Sequence, residues 1–157
     1  MNQQTKRVQM TPIGYRQLVT ELEQLEKDKR PEAIERLSKA RDFGDLSENA
    51  EYHSAKEALV TLEGRIEELK DILTRVVVVD VQKAGLGQVG MGSVVHIEVN
   101  GSKHEFTIVG EWEADPAAKK ISHESPLGKA LMGKKVGEVV EVEAPSGKIS
   151  YSIKSLK

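Results

Sequence analysis

Ala40-Arg41-Asp42-Phe43-Gly44-Asp45-Leu46-Ser47-Glu48-Asn49-Ala50-Glu51-Tyr52-His53 is the stretch on which the fold turns. Glycine readily takes the left-handed conformation that follows a last helical turn, so Gly44 is expected to end the helix before it. Asp45-x-x-Glu48 has the spacing of a capping box, in which the first side chain accepts from the backbone amide three residues on and the glutamate reaches back. A second helix is therefore expected to open at Asp45. Two helices joined by almost no linker run antiparallel and bury facing stripes.

The flanking sequence supplies those stripes. Thr11-Pro12 is a start signal, a hydroxyl cap followed by proline at the first helical position. Behind it Tyr15, Leu18, Leu22 and Leu25 repeat at spacings of three and four, the seam of a coiled coil. The register breaks at Lys29-Arg30-Pro31 and a new stripe resumes with Ile34 and Leu37. Pro31 removes a backbone donor and should bend or loosen the helix, which nonetheless reads as one element through it. On the other arm Ala55, Leu59, Leu62, Ile66, Leu69 and Leu73 form an unbroken seam. That second helix, about 30 residues, would be roughly 45 Å long. With no third helix to complete a bundle, the hairpin is a projection.

From Val76 the grammar changes. The β-branched run Val76 to Val81 reads as a strand. Ser93 to Val99 and Glu105 to Val109 are two more, joined around Asn100-Gly101, a strong hairpin signal. Ser125-Pro126 starts a short helix with Leu127, Ala130 and Leu131 on one face, stopped by Gly133. Val139 to Val142 and Ile149 to Ile153 close the sheet through Pro145-Ser146-Gly147. The expected class is α+β: a helical hairpin over residues 1–78, then a small α+β domain over 79–157.

Composition narrows the function classes. Aromatic residues are only 4% of the 157, so any compact core is small and aliphatic, while 31% charged residues favour a long solvated element. The first 78 residues carry 13 Lys and Arg against 15 Asp and Glu, and the remainder carry 10 of each. Neither half is basic, which argues against broad binding to duplex nucleic acid and makes any such contact local. The absence of cysteine excludes disulfides, iron–sulfur clusters and cysteine-based zinc sites or catalysis. MNQQTKRVQM has no apolar stretch of signal-peptide length, and Val76 to Val79 is the longest apolar run. A soluble, cytoplasmic protein with no membrane association is expected.

Of the groups that could carry chemistry, Asp45 and Glu48 have a simple alternative as helix caps, and Asp42 and Glu51 as a solvated face. The basic residues Lys27, Lys29, Arg30, Arg36, Lys39 and Arg41 can be paired with Glu23, Glu26, Glu32 and Glu35 at helical spacing. Lys39 and Arg41 lie nearest the turn, where they can meet phosphates. Phe43 and Tyr52 either stack on a base or pack at the turn. His53 reads as a surface residue, and His96, His104 and His123 lack metal-ligand spacing. Gly85, Gly87, Gly90 and Gly92 read as a turn between strands, since no Lys-Ser/Thr and no helix follows them.

The quoted stretch closely resembles the hairpin tip of Gre-type bacterial transcript cleavage factors, whose signature is Gly-Asp-Leu-x-Glu-Asn-Ala-Glu-Tyr. Arg30-Pro31-Glu32, Glu63-Gly64-Arg65-Ile66 and Ser125-Pro126-Leu127-Gly128-Lys129-Ala130-Leu131-Met132-Gly133-Lys134 extend the resemblance over almost the whole chain. The GreA branch is nearer than the GreB branch, whose hairpin carries a larger basic patch. The resemblance implies an FKBP-like C-terminal domain that docks at the rim of the RNA polymerase secondary channel, through Ser125, Pro126, Leu127 and Gly128. It implies a hairpin that reaches down the channel to the 3′ end of backtracked RNA, with Lys39, Arg41, Phe43, Asn49 and Tyr52 as contacts to RNA or polymerase. Asp45 and Glu48 would then help to hold a second Mg²⁺, shared with the polymerase, and to order the attacking water. The factor is expected to be a monomer and an activator of the polymerase's own cleavage rather than an enzyme.

Three rivals stand beside that expectation. A Gre-like inhibitor with an altered tip would occupy the same channel, but Gly44-Asp45-Leu46-x-Glu48 is intact. A prolyl isomerase pocket is walled by aromatics, and the second half has only Phe106, Trp112 and Tyr151. A purely structural coiled-coil adaptor would need nothing at the tip except a cap.

Overall fold

The computed structural model describes residues 6–81 and 87–157. These fall into two compact units, one made of residues 16–75 and the other of the N-terminal residues to 15 together with 76–157. The division therefore has two cuts rather than the single boundary at 78. Gly85 lies outside the described residues.

In the hairpin unit the first arm is continuously helical, as α1 (Pro12–Gln24), a π-helical segment (Leu25–Lys29) and α2 (Arg30–Asp42). Leu18, Leu22 and Leu25 face inward as the seam requires. Continued at the same spacing, the stripe would place Lys29, Glu32, Arg36 and Lys39 in the interface, all of them charged. The π segment takes up one extra residue, with the Arg30 N–H donating to the Leu25 carbonyl five residues back. Every later position is thereby shifted by one, so Ala33, Leu37 and Ala40 turn inward and the four charged residues stay exposed. Pro31, which has no N–H to give, follows directly after the widened turn. This corrects the expected stripe, because Ile34 is one residue off the shifted register and 47% exposed, while Ala40 is 2% exposed.

The second arm, α3 (Ala50–Arg75), buries Ala55, Ile66, Leu69 and Ile72, with Leu59, Leu62 and Leu73 half-buried beside them. Its 26 residues span roughly 39 Å. Exposed ion pairs tie the arms together: Glu21 to Arg65 at 2.8 Å, Glu26 to Lys70 at 2.5 Å, Arg30 to Glu63 at 2.6 Å and Arg36 to Glu51 at 2.7 Å. Such pairs contribute little each but specify which faces meet.

The other unit holds a sheet in the order β5-β4-β3-β7-β6, built from β3 (Val94–Val99), β4 (Ser102–Val109), β5 (Lys120–Ser122), β6 (Val139–Ala144) and β7 (Gly147–Leu156). Within this sheet β4 and β5 pair in parallel and the other neighbours are antiparallel. The β3–β4 turn uses Asn100 and Gly101, both at positive φ, as a two-residue hairpin demands. Val95, Ile97, Ile108, Leu131, Val140 and Ile153 form an aliphatic core, with Phe106, Leu127 and Tyr151 packed at its margin. Two short strands, β1 (Val8–Met10) and β2 (Val76–Val78), pair in parallel. The chain therefore leaves this unit and returns to it at neighbouring points. Thr11 caps α1 as expected, accepting from the Gly14 N–H at 3.2 Å. Its own amide donates to the Glu113 carboxylate at 2.9 Å, which also takes the Thr11 hydroxyl and, at 3.0 Å, the Gly110 N–H. Among the described residues no helix is long and apolar enough to cross a membrane.

Candidate functional site

At the turn, one side chain bonds to both arms. The Asn49 Nδ2 donates to the Ala40 carbonyl at 2.6 Å, and its Oδ1 accepts from the Tyr52 N–H at 3.0 Å. One amide thus adds a second donor to the Ala40 carbonyl, which also accepts from the Phe43 N–H at 3.4 Å, and caps the first turn of α3. Phe43 ends α2 and Gly44 follows at positive φ. Residues 43–49 are a loop, and the expected helix start at Asp45 is corrected to Ala50. Asp45 and Asn49 are equally good caps by residue type; Asn49 prevails because only an amide can donate to Ala40 and accept from Tyr52 at once.

Asp45 and Glu48 consequently do not form the capping box. The Ser47 amide, at 3.0 Å, and the Ser47 hydroxyl, at 2.9 Å, both donate to the Asp45 Oδ1. That pair of bonds, the backbone one foremost, holds the Asp45 carboxyl below its ordinary pKa range. The Glu48 side chain is exposed and makes no hydrogen bond or ion pair among the described residues. The loop therefore carries two solvent-facing carboxylates that no helix requires.

The basic residues separate cleanly. Lys27 pairs with Glu23 at 3.7 Å, Lys29 with Glu32 at 3.5 Å and Lys39 with Glu35 at 2.6 Å, while Arg30 and Arg36 cross to the other arm. Arg41 has no partner among the described residues. An open groove of about 400 Å³ runs between Arg36 and Phe43, with Glu32, Glu35 and Glu51 on its walls. Three carboxylates against two cations make it acidic on balance, so it does not favour a phosphate. Glu51 lies on a solvated face, as expected, and also bonds across the hairpin to Arg36, which lowers its pKa.

Phe43 is 85% exposed, which rules out packing at the turn as the reason for an aromatic there. Tyr52 is half-buried, edge-on to His53 at 5.6 Å between ring centres. Both ends of the Asn49 amide, expected among the contact residues, are engaged inside the hairpin.

In the other unit, the four residues expected to dock are largely accounted for by the fold. Ser125 caps α4 (Pro126–Leu131) by accepting from the Gly128 N–H at 3.0 Å, and its hydroxyl donates to the Ser122 carbonyl at 2.6 Å. Leu127 packs on the core. A β-carbon on Gly128 would lie 1.9 Å from the Ser122 carbonyl oxygen, so only glycine fits. Pro126 is exposed. His104 stacks on Phe106 at 6.2 Å and His96 lies 3.5 Å from Glu105. No group of three or more His, Asp or Glu able to hold a metal occurs among the described residues.

Comparison with known proteins divides the chain once, between residues 78 and 82. Residues 8–78 match the family model for the N-terminal domain of transcription elongation factors, and residues 82–157 match that for the GreA/GreB C-terminal domain. Transcription elongation factor GreA of Rhodospirillum rubrum is 46% identical over 150 residues, covering 94% of this chain and 96% of that protein. GreA of Nautilia profundicola is 49% identical over 146 residues, covering 92% and 90%. Among solved structures, GreA factor homolog 1 of Thermus thermophilus is 32% identical across 97% of this chain and 99% of that one, with a TM-score of 0.45.

Proposed function

The chain belongs to the GreA/GreB family of transcription elongation factors, and from that premise we propose that it makes a bacterial RNA polymerase cleave its own backtracked transcript. The observation that carries this reading is the loop at the hairpin tip, where Asp45 and Glu48 face solvent and neither caps a helix. An exposed acidic pair with no part in closing the hairpin is available to a partner. The hairpin enters the secondary channel, and the unit containing α4 docks at its rim through the surface around Pro126.

The donor set suits Mg²⁺. Both groups offer oxygen, and the Asp45 Oδ2 takes no hydrogen bond among the described residues. Mg²⁺ keeps several waters and needs only one or two protein carboxylates, so Asp45 and Glu48 can complete a site whose other ligands belong to the polymerase. When bound, a second cation stabilises charge on the attacking and leaving oxygens of an in-line displacement. Two carboxylates alone are too few to retain it firmly, which makes this chain an activator rather than a hydrolase. Asp45 and Glu48 supply ligand and water-orienting oxygens. Arg41, the cation nearest the loop that has no internal partner, meets the extruded RNA's phosphates, and Phe43 offers a free ring face to a base.

The test is to add the full chain to a stalled, backtracked complex with labelled RNA. Short 3′ fragments should be released and elongation should resume. Failure to cleave, with the factor bound, contradicts the proposal.

A further inference from the structure

We propose that the outer face of α3 around Gly64 is a docking surface for a basic segment of the polymerase channel wall. An arginine or lysine of that segment lays its aliphatic stem along Val60 and Gly64 and brings its charge to Glu57 and Glu67. This inference rests on the function proposed above and concerns a surface separate from the acidic loop.

Of Glu63-Gly64-Arg65-Ile66, three residues are accounted for by the hairpin. Glu63 pairs with Arg30 at 2.6 Å, Arg65 pairs with Glu21 at 2.8 Å, and Ile66 is buried in the seam. Gly64 is not accounted for. It stands in the interior of α3, away from the left-handed region, so its backbone conformation requires no glycine. A β-carbon there would meet nothing within 4 Å, so packing requires none either. Glycine inside a helix is less stable than alanine because the chain loses more freedom on folding. What the missing side chain provides is access, a stretch of bare backbone that another molecule can approach closely.

The surroundings of Gly64 indicate what approaches. The helical period sets His53, Glu57, Val60, Gly64 and Glu67 along one line, opposite the seam of Ala55, Ile66 and Leu69. Val60, one turn before Gly64, is 65% exposed, and it lines an open depression of about 530 Å³ with His53, Lys56, Glu57 and Thr61. Of the six acids on α3, four are engaged: Glu51 with Arg36, Glu63 with Arg30, Glu68 with Arg65 and Asp71 with Arg75. The other two, Glu57 and Glu67, make no ion pair among the described residues, and they are the two that flank Val60 and Gly64. Lys56, at the edge of the line, offsets only one of them. An apolar step between two unpaired carboxylates complements a long cationic side chain, which covers apolar surface with its stem and keeps its charge at the end. The same carboxylates repel phosphate, so the face does not suit RNA.

The experiment titrates the full-length chain against backtracked polymerase complexes, reads binding by displacement of a fluorescent parental chain, and follows thermal unfolding in parallel. Gly64→Ala and Gly64→Leu should both unfold at higher temperature than the parent, since each residue suits a helix better than glycine. Both should nonetheless bind more weakly, by roughly 3-fold and by roughly 10-fold or more, the loss growing with the size of the side chain. Replacing both free acids, Glu57→Gln with Glu67→Gln, should weaken binding by roughly 3- to 10-fold and flatten its dependence on salt. At saturating concentration all these variants should release the parental RNA fragments, because the acidic loop is untouched. Parental affinity in Gly64→Leu would overturn the inference. Parental affinity and salt dependence in the glutamine pair would also overturn it, by removing the basic partner. A free chain that sediments as a dimer, and as a monomer in Gly64→Leu, would assign the face to a second copy instead. Each of these outcomes leaves the proposed function intact so long as the parental chain stimulates cleavage. A parental chain that neither binds the polymerase nor stimulates cleavage would remove the function and this inference together.

Discussion

Asn49→Ala removes both bonds that this side chain makes at the hairpin turn. The cap on α3 is lost with the acceptor at 3.0 Å from the Tyr52 N–H, at a cost of about 1 kcal/mol. The Ala40 carbonyl loses its 2.6 Å donor but keeps the Phe43 N–H at 3.4 Å, so the loss there is that of one hydrogen bond, about 0.5–1.5 kcal/mol, and not of an unpaired acceptor. Together these predict destabilisation of the hairpin by about 1.5–2.5 kcal/mol. Asn49→Asp divides the two effects. It keeps an acceptor beside the positive end of α3, but sets a carboxylate oxygen against the Ala40 carbonyl, so its loss should be smaller and confined to that side. Urea unfolding followed by helical circular dichroism gives the total, and hydrogen exchange at the Tyr52 amide reports the cap by itself. Tyr52 should lose protection in the alanine variant and retain it in the aspartate variant. An Asn49→Ala protein as stable as the parent, with Tyr52 still protected, would refute the clasp. Asn49 would then be free to serve as a contact to RNA or polymerase.

Three further outcomes follow from the same geometry. Gly128→Ala drives a β-carbon to 1.9 Å from a backbone carbonyl and should cost at least about 1–3 kcal/mol; Gly64→Ala, in open space on α3, should gain up to about 1 kcal/mol, both read by thermal unfolding. Phe43→Ala should leave the melting curve unchanged, since the ring is 85% exposed, yet reduce cleavage and crosslinking to the RNA 3′ end. Arg41→Ala should weaken cleavage more than Lys39→Ala, because Lys39 is already paired with Glu35; equal effects would remove Arg41 from the RNA path.

Much of this was legible in the sequence. The reversal at Gly44, the α3 stripe, the Asn100-Gly101 hairpin and the capped α4 all rest on local rules, and the structure keeps them. What was illegible depends on partners far along the chain. β1 is three residues long and finds its pairing with Val76–Val78, and β5 is equally short. Glu113 gives no sign in its own neighbourhood that it will receive the Thr11 amide. The register after Leu25 needs one residue absorbed by a π turn, which apolar spacing read as a fresh stripe on Ile34. At the site, the acidic pair was legible as residues but not as free groups. A capping box at Asp45 and a cap at Asn49 satisfy the same rule, and the second bond from Asn49 to Ala40 is what decides between them.

The most direct test of the acidic tip is the cleavage assay with Asp45→Asn and Glu48→Gln. Neither side chain caps α3, and Asn at 45 can still accept from Ser47, so both variants should unfold like the parent and bind polymerase as it does. Each removes a negative charge from the proposed Mg²⁺ site, where a neutral amide oxygen would be a far poorer ligand. The account predicts that both lose most cleavage, recover part of it as Mg²⁺ is raised, and compete with the unmutated chain for the channel. Parental cleavage by both variants at limiting Mg²⁺ would contradict it.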